Sequence, residues 1–131
     1  MPLARARRRL RRRAATPTPR EHHRVYVVLL KNPAGDGRDG YYVGMTGLTP
    51  EARFANHKRG YKSARVVTRC GVGLAYEWFE DIPAMPYGEA ALTEPALADE
   101  LRDRGFLVFG PTNRNVPSRR RPTRLRTGRG A

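Results

Sequence analysis

The sequence predicts an α+β domain, in which a small three-stranded antiparallel sheet is flanked by helices and each end of the chain carries a basic extension. Two apolar runs come first and are joined by a glycine-rich turn, an order typical of an antiparallel hairpin rather than of a β-α-β unit. Capped helical patterns follow, with a third apolar run between them. The 131 residues allow one modest domain.

The predicted hairpin takes up residues 25–45. Its first strand, residues 25–30, is apolar without alternation, which is typical of a central strand buried on both faces. Residues 31–40 form a turn cluster that contains Gly, Pro, Asn and Asp, and this ten-residue connection is longer than the usual hairpin loop of about two to five residues. The second strand is predicted at residues 41–45, and it begins with two tyrosines.

Two helices are predicted directly after the hairpin. Thr49 is followed by a proline and an acidic residue, which is the pattern of a capped helix start. This helix is expected to end near Lys58, before a glycine. Residues 61–69 are predicted to form a second, short helix with Ser63 as its cap.

The second half of the chain predicts one more strand, one long helix and a final apolar run. Residues 74–79 are apolar and aromatic, and we expect them to form the third strand. Residues 89–104 have a helical pattern, interrupted by Pro95, so this helix is either kinked at Glu94 or divided in two. Residues 106–109 form a short last strand or an extended segment packed on the core.

The net charge of +14 comes from the two ends of the chain. The first 20 residues hold eight arginines and residues 117–131 hold six, in both cases without an acid. Residues 21–116 balance 12 basic against 12 acidic side chains. We therefore expect a folded domain at residues 22–116 between disordered Arg-rich extensions at 1–21 and 117–131. Such extensions bind polyanions, or are solvated segments without a specific partner.

Composition also excludes several classes of protein. Cys70 is the single cysteine, so neither an intramolecular disulfide nor a cysteine zinc site can form. No apolar run approaches the ~20 residues that span a bilayer, and no apolar segment follows the first arginines as in a secretory signal. We expect a cytoplasmic protein without a membrane partner.

The stretch from residue 41 to residue 57 carries the first chemical signal. Arg53 and His57 are spaced by about one helical turn, so their side chains share a face and are expected to meet a strand tyrosine at a phosphate. A basic segment without acids continues from there. Its members that we predict to bind nucleic acid are Lys58, Arg59, Lys62, Arg65 and Arg69.

The chain resembles the GIY-YIG nuclease domain family over about residues 22–116. The two tripeptides that name the family correspond to residues 24–26 (RVY) and 42–44 (YVG), of which the second is the better match. Arg53 and His57 match the arginine and histidine of the following helix. A later glutamate and a late asparagine complete the pattern; the candidates are Glu94, within EAALTE, and Asn113, with Asn115 as the second choice.

The resemblance implies cleavage of DNA with a single divalent cation, Mg²⁺ or Mn²⁺, held by Glu94. Arg53 would hold the scissile phosphate, and Tyr26 or Tyr42 would act on the attacking water as base or orienter. It also implies that His57 assists proton transfer or contacts the phosphate, and that Asn113 orients a neighbour. With one site per chain, both strands of a duplex would be cut by a homodimer or in two visits.

Three departures from the family pattern keep alternatives open. Arg24 replaces the glycine of the first tripeptide, the two tyrosines are 16 positions apart, and Pro95 directly follows the expected metal ligand. One alternative is a DNA-binding module of the same fold without turnover. Another is a basic RNA- or ribosome-associated protein that acts through its arginine-rich ends.

Overall fold

The computed structural model describes residues 22–113, so the predicted extensions at 1–21 and 117–131, and also Asn115, lie outside the described residues. Within this described range there are four strands: β1 (Arg24–Leu30), β2 (Gly40–Thr46), β3 (Gly71–Leu74) and β4 (Leu107–Phe109). The helices are α1 (Pro50–Lys58), α2 (Arg65–Cys70) and α3 (Tyr87–Asp103), and a 3-10 turn covers Tyr76–Trp78. No helix within the described range is long and apolar enough to cross a membrane.

The α+β class and the small sheet flanked by helices are confirmed, but the prediction of three antiparallel strands is wrong. The sheet has four strands in the order β3-β1-β2-β4 and is mixed, because β4 pairs with β2 in parallel. A parallel neighbour requires a crossover, and α3 supplies it by packing on both β2 and β4. The three residues of β4 are too few to reveal the direction of pairing in the sequence.

The third strand lies earlier than predicted. Residues 71–74 pair with β1, and the main-chain N–H of Ala75 still donates to Val27 before the chain leaves the sheet. The aromatic residues that predicted a strand at 74–79 instead form a 3-10 turn that covers the core, with Phe79 buried. Gly71 allows the strand to begin directly after α2, since a Cβ there would lie 2.6 Å from the carbonyl oxygen of Val67.

The helix starts agree only in part with the sequence signals. The hydroxyl of Thr49 accepts from the N–H of Ala52 at 3.1 Å, which confirms the predicted cap of α1. Helix α2 follows Ala64 and has no side-chain cap, so the prediction of Ser63 as cap is wrong. Helix α3 is assigned as one helix from Tyr87 to Asp103 with buried Pro95 inside it, so packing outweighs the lost hydrogen bond.

The hairpin register decides which side chains can meet. Strand β1 is central and almost wholly buried, as its unbroken apolar run predicted. Tyr26 pairs with Gly44 and Val28 pairs with Tyr42. Because directly paired residues point to the same face of a sheet, Tyr26 and Tyr42 are diagonal neighbours on one face.

Candidate active site

The two tyrosines lie side by side because Gly44 has no side chain. Their ring centroids are 6.3 Å apart. A Cβ at Gly44 would lie 2.7 Å from the hydroxyl oxygen of Tyr26 and 2.9 Å from Cε2 of Tyr42. The ring of Tyr26 therefore lies across the β2 backbone, in space that any other residue at position 44 would occupy.

His57 reaches the same place from the last turn of α1. It is fully buried, and its ring centroid is 6.1 Å from that of Tyr26 and 5.6 Å from that of Tyr42. Its Nδ1 accepts from the main-chain N–H of Ala64 at 3.0 Å. In a neutral imidazole the proton must then be on Nε2, which donates to the Tyr26 hydroxyl at 2.8 Å. The histidine is thus held in one tautomer.

Burial keeps these groups neutral. Burial, together with a smaller contribution from the charge of Arg53, lowers the pKa of His57 to about 4. Burial also raises the pKa of both tyrosines, and the neighbouring Tyr42 adds to the effect at Tyr26. Near pH 7 the free chain therefore has a neutral imidazole and two neutral phenols at this site.

Arg53 places the positive charge beside the tyrosines. It lies one turn before His57 on α1 and is partly buried. Its charge counteracts the effect of burial on the pKa of Tyr26 and of Tyr42, which requires the guanidinium to lie close to both. One guanidinium nitrogen donates to the carbonyl of Lys62 at 2.8 Å, which fixes the side chain from the outside.

Glu94 approaches the tyrosines from α3. Its charge contributes to the raised pKa values of Tyr26 and Tyr42, so the carboxyl group lies near both hydroxyls. The side chain is partly buried, and this burial raises its own pKa. The structure thus brings together five residues from β1, β2, α1 and α3: Tyr26, Tyr42, Arg53, His57 and Glu94.

The cluster contains one carboxylate side chain, Glu94, that could be a ligand of a divalent cation. Within residues 22–113 no group of three or more His, Cys, Asp or Glu side chains is gathered as a complete set of ligands. Glu94 is the carboxylate beside the tyrosine hydroxyls. One carboxylate, with water and substrate oxygens as the other ligands, is a normal arrangement for Mg²⁺. The residues present fit this kind of site, and Glu94 would be its protein ligand.

The basic residues predicted to bind nucleic acid are all exposed but differ in their contacts. Lys58 donates to the carbonyls of Thr68 and Gly71, so it ties α1 to the end of α2. Arg59 and Lys62 lie beside the ring of an exposed tyrosine after α1. The last two of the five, both on α2, are Arg65 and Arg69.

Asn113 lies at the end of the described chain and is exposed. Its main-chain N–H donates to the Asp99 carboxylate at 3.0 Å, and Thr112 donates to the same carboxylate. Asp99 also pairs with Arg102, which donates to the carbonyl of Gly110 at 2.7 Å. This clamp holds the segment that carries Asn113 against α3, while no described contact connects Asn113 with the tyrosines.

Sequence reasoning missed the backbone groups that organise the site. The N–H of Ala64 sets the tautomer of His57, and the carbonyl of Lys62 anchors Arg53. Backbone groups carry no sequence signal. By contrast, the Asp99–Arg102 spacing on a helix was a readable signal for an ion pair, although its link to the last segment was not.

A separate cleft of about 260 Å³ lies at the Arg24 end of β1. It is lined in part by Glu51 and Tyr76, whose hydroxyl donates to the Glu51 carboxylate at 2.6 Å. None of the predicted catalytic residues lines this cleft, so its chemistry is unrelated to the tyrosine cluster.

Comparison with family models, with curated proteins and with solved structures found no match to this chain. The cluster has therefore to be interpreted from its own geometry.

Proposed function

We propose that the chain is a divalent-metal-dependent DNA endonuclease with a GIY-YIG-type site. The observation that carries the proposal is the convergence of two tyrosines, an arginine, a histidine and a glutamate from four separate elements. A cluster of perturbed titratable groups around one fixed cation is a usual property of a catalytic site. Phosphodiester hydrolysis needs these components: a group that holds the phosphate, a group that places water and a ligand for a metal ion.

Arg53 is the phosphate-binding group of this proposal. A planar guanidinium can donate two parallel hydrogen bonds to phosphate oxygens, and it cannot lose its charge when it is buried by substrate. One of its nitrogens is already bonded to the carbonyl of Lys62, so the remaining donors are held in a fixed direction. This fixed direction would hold the scissile phosphate beside Tyr26 and Tyr42.

Tyr26 is proposed as the group that orients the attacking water, not as the base. Because its pKa is raised, almost no phenolate is present near pH 7 in the free chain to take a proton from the water. Its oxygen accepts from His57, and its own O–H, which is bonded to Tyr42 in the free chain, would turn to a water or a phosphate oxygen when substrate enters. His57 thereby sets the direction in which Tyr26 donates.

Glu94 would hold the divalent cation, with water completing the coordination. When bound, such an ion polarises the phosphate, lowers the pKa of a coordinated water and stabilises the leaving 3′-oxygen. In the overall reaction, the water oxygen bonds to phosphorus and the bond from phosphorus to the 3′-oxygen breaks. One proton equivalent of the water converts the leaving 3′-oxygen to a hydroxyl, and the other stays on the new phosphate monoester or is released to solvent.

The test is nicking of supercoiled plasmid by the full chain in Mg²⁺. Glu94→Gln removes the carboxylate charge with almost no change in shape, and we expect the nicking rate to fall by at least about a hundredfold. Glu100→Gln, on the same helix but paired with Arg104, is the matched control and should nick at the wild-type rate. Equal rates for Glu94→Gln and wild type would contradict the proposal.

The alternatives give different results in the same experiment. A module that binds without turnover would leave the plasmid intact in wild type and in both variants, while DNA binding persisted. A protein that acts through its arginine-rich ends would lose all binding when residues 1–20 and 117–131 are removed, with residues 21–116 inert.

A further inference from the structure

An exposed aromatic side chain lies in the segment between α1 and α2, which comprises residues 59–64 and is called here the 59–64 loop. Tyr61 is 51% exposed. The guanidinium carbon of Arg59 and the ammonium of Lys62 each lie 5.6 Å from the centre of its ring. Because each cation lies over the ring, a nucleobase would stack on Tyr61 by displacing a cation, and the displaced cations would neutralise the flanking phosphates.

The 59–64 loop is fixed to the tyrosine cluster at two points. The carbonyl of Lys62 accepts from Arg53, and the N–H of Ala64 donates to His57. A third bond, from the N–H of Tyr61 to the carbonyl of Asn56, joins the loop to the end of α1. The position of the exposed ring relative to Arg53 is therefore set by hydrogen bonds and not by a free loop.

The backbone of the loop departs from ordinary conformations to make these bonds. Gly60 has φ of +80°, which glycine adopts without cost. Lys62 has φ of +45°, which is unfavourable for a residue with a side chain. This conformation places the carbonyl of Lys62 on Arg53 and its ammonium beside Tyr61.

We propose that Tyr61 is a stacking surface for an unpaired base of the DNA strand whose phosphate is bound at Arg53. The inference rests on the proposed function, because that function supplies the phosphate. A paired base inside a duplex is covered on both faces by its neighbours, whereas an unpaired base has a face to offer. Arg59 and Lys62 then leave the ring and pair with the phosphates on either side of that base. The substrate class is DNA with a bulge, a single-stranded end or a flipped base.

The other exposed tyrosines in the described part of the chain have different surroundings. Tyr76 donates to the Glu51 carboxylate, which would repel a phosphate. Tyr87 is 64% exposed and contacts the ring of His23. Tyr87 is therefore the matched control: an exposed tyrosine without a cation beside its ring among the contacts described.

The test compares binding of the full chain to two fluorescent duplexes of equal length, one fully paired and one with a single unpaired base. Anisotropy is measured in EDTA so that no cleavage occurs. The arginine-rich ends contact phosphates in both duplexes alike, so the ratio of the two dissociation constants isolates the base. We expect wild type to prefer the unpaired base by about tenfold or more, as for other base–aromatic stacks.

The variants then decide the inference. Tyr61→Ala should reduce the ratio of the two dissociation constants to about one. Tyr61→Phe keeps the aromatic ring, and Tyr87→Ala leaves Tyr61 unchanged, so both variants should retain the wild-type ratio. A ratio of one in wild type, or an unchanged ratio in Tyr61→Ala, overturns the stacking surface. Nicking of plasmid by wild type in Mg²⁺ is scored separately. Nicking with a ratio of one defeats this inference alone, and a Tyr61-dependent ratio without nicking defeats the proposed catalysis alone.

Discussion

Replacement of Gly44 by alanine tests whether the geometry of the tyrosine pair matters. The new Cβ would lie 2.7 Å from the hydroxyl oxygen and 2.8 Å from Cζ of Tyr26, and ordinary contact begins near 3.4 Å. The Tyr26 hydroxyl must therefore move by about 0.7 Å. Its ring is buried and its oxygen is bonded to His57, so the movement strains the core or breaks that bond.

The expected cost follows from these two effects. Overpacking of a buried site costs about 1–3 kcal/mol, and a weakened buried hydrogen bond adds about 1 kcal/mol. We expect Gly44→Ala to lower the free energy of unfolding by about 2–4 kcal/mol. If Tyr26 places the attacking water, a displacement of this size should also slow plasmid nicking by about 10- to 100-fold.

Gly73→Ala is the matched control, because Gly73 is also in a strand and a Cβ there meets no atom within 4 Å. Urea unfolding and plasmid nicking are measured for both variants. Gly73→Ala should change the free energy of unfolding by less than about 0.5 kcal/mol and leave nicking unchanged. If Gly44→Ala behaves like Gly73→Ala in both assays, the tyrosine arrangement described above is wrong.

Two further predictions concern His57 and Lys58. Since burial lowers the pKa of His57 from 6.5 to about 4, the unfolded chain binds the proton more readily between those values, and stability falls by up to about 3 kcal/mol as pH is lowered through this window. Urea unfolding from pH 7 to pH 4 compares the Glu94→Gln variant with the Glu94→Gln/His57→Gln double variant, because the raised pKa of Glu94 would change stability in the opposite direction. The double variant should lose less stability as the pH falls. An equally steep loss would contradict the burial of a neutral histidine. Lys58→Ala removes two bonds to carbonyls near the end of α2 and should lower the free energy of unfolding by about 1 kcal/mol. Its DNA affinity, measured by anisotropy, should fall less than that of Lys62→Ala; a larger fall would identify Lys58 as a phosphate contact instead.

The parts of the fold that the sequence predicts are those with local causes. The hairpin follows from two apolar runs around a turn cluster, and the start of α1 follows from the cap at Thr49. The parallel strand β4 has no such cause, because three residues pair with β2 only after α3 has brought them there. At Pro95 the local rule predicted either a kink or a division into two helices, and tertiary packing kept one helix through the proline.

The candidate site likewise has features with local causes, which the sequence predicts, and features with non-local causes, which it does not. Spacing could place Arg53 and His57 on one face of α1, but not the tautomer of His57, which depends on the N–H of Ala64 in a loop. Ala64, in the segment between α1 and α2, thus determines that His57 presents an N–H donor to the Tyr26 hydroxyl. Lys62 is a second example of a backbone group that acts on the site. The sequence predicts a role for its basic side chain, whereas its main-chain carbonyl holds Arg53.

The pKa shifts in the cluster have one common effect, which is to favour the neutral form of each group. Burial raises the pKa of Tyr26, Tyr42 and Glu94 and lowers that of His57, so each of the four groups is pushed toward its neutral form. Arg53 alone must remain charged. A divalent cation at Glu94 would reverse this balance, because it favours the carboxylate and an ionised water or phenol beside it. Under the proposed function, the free cluster would favour an incoming phosphate through Arg53, and its proton chemistry would become favourable only when the cation accompanies that phosphate.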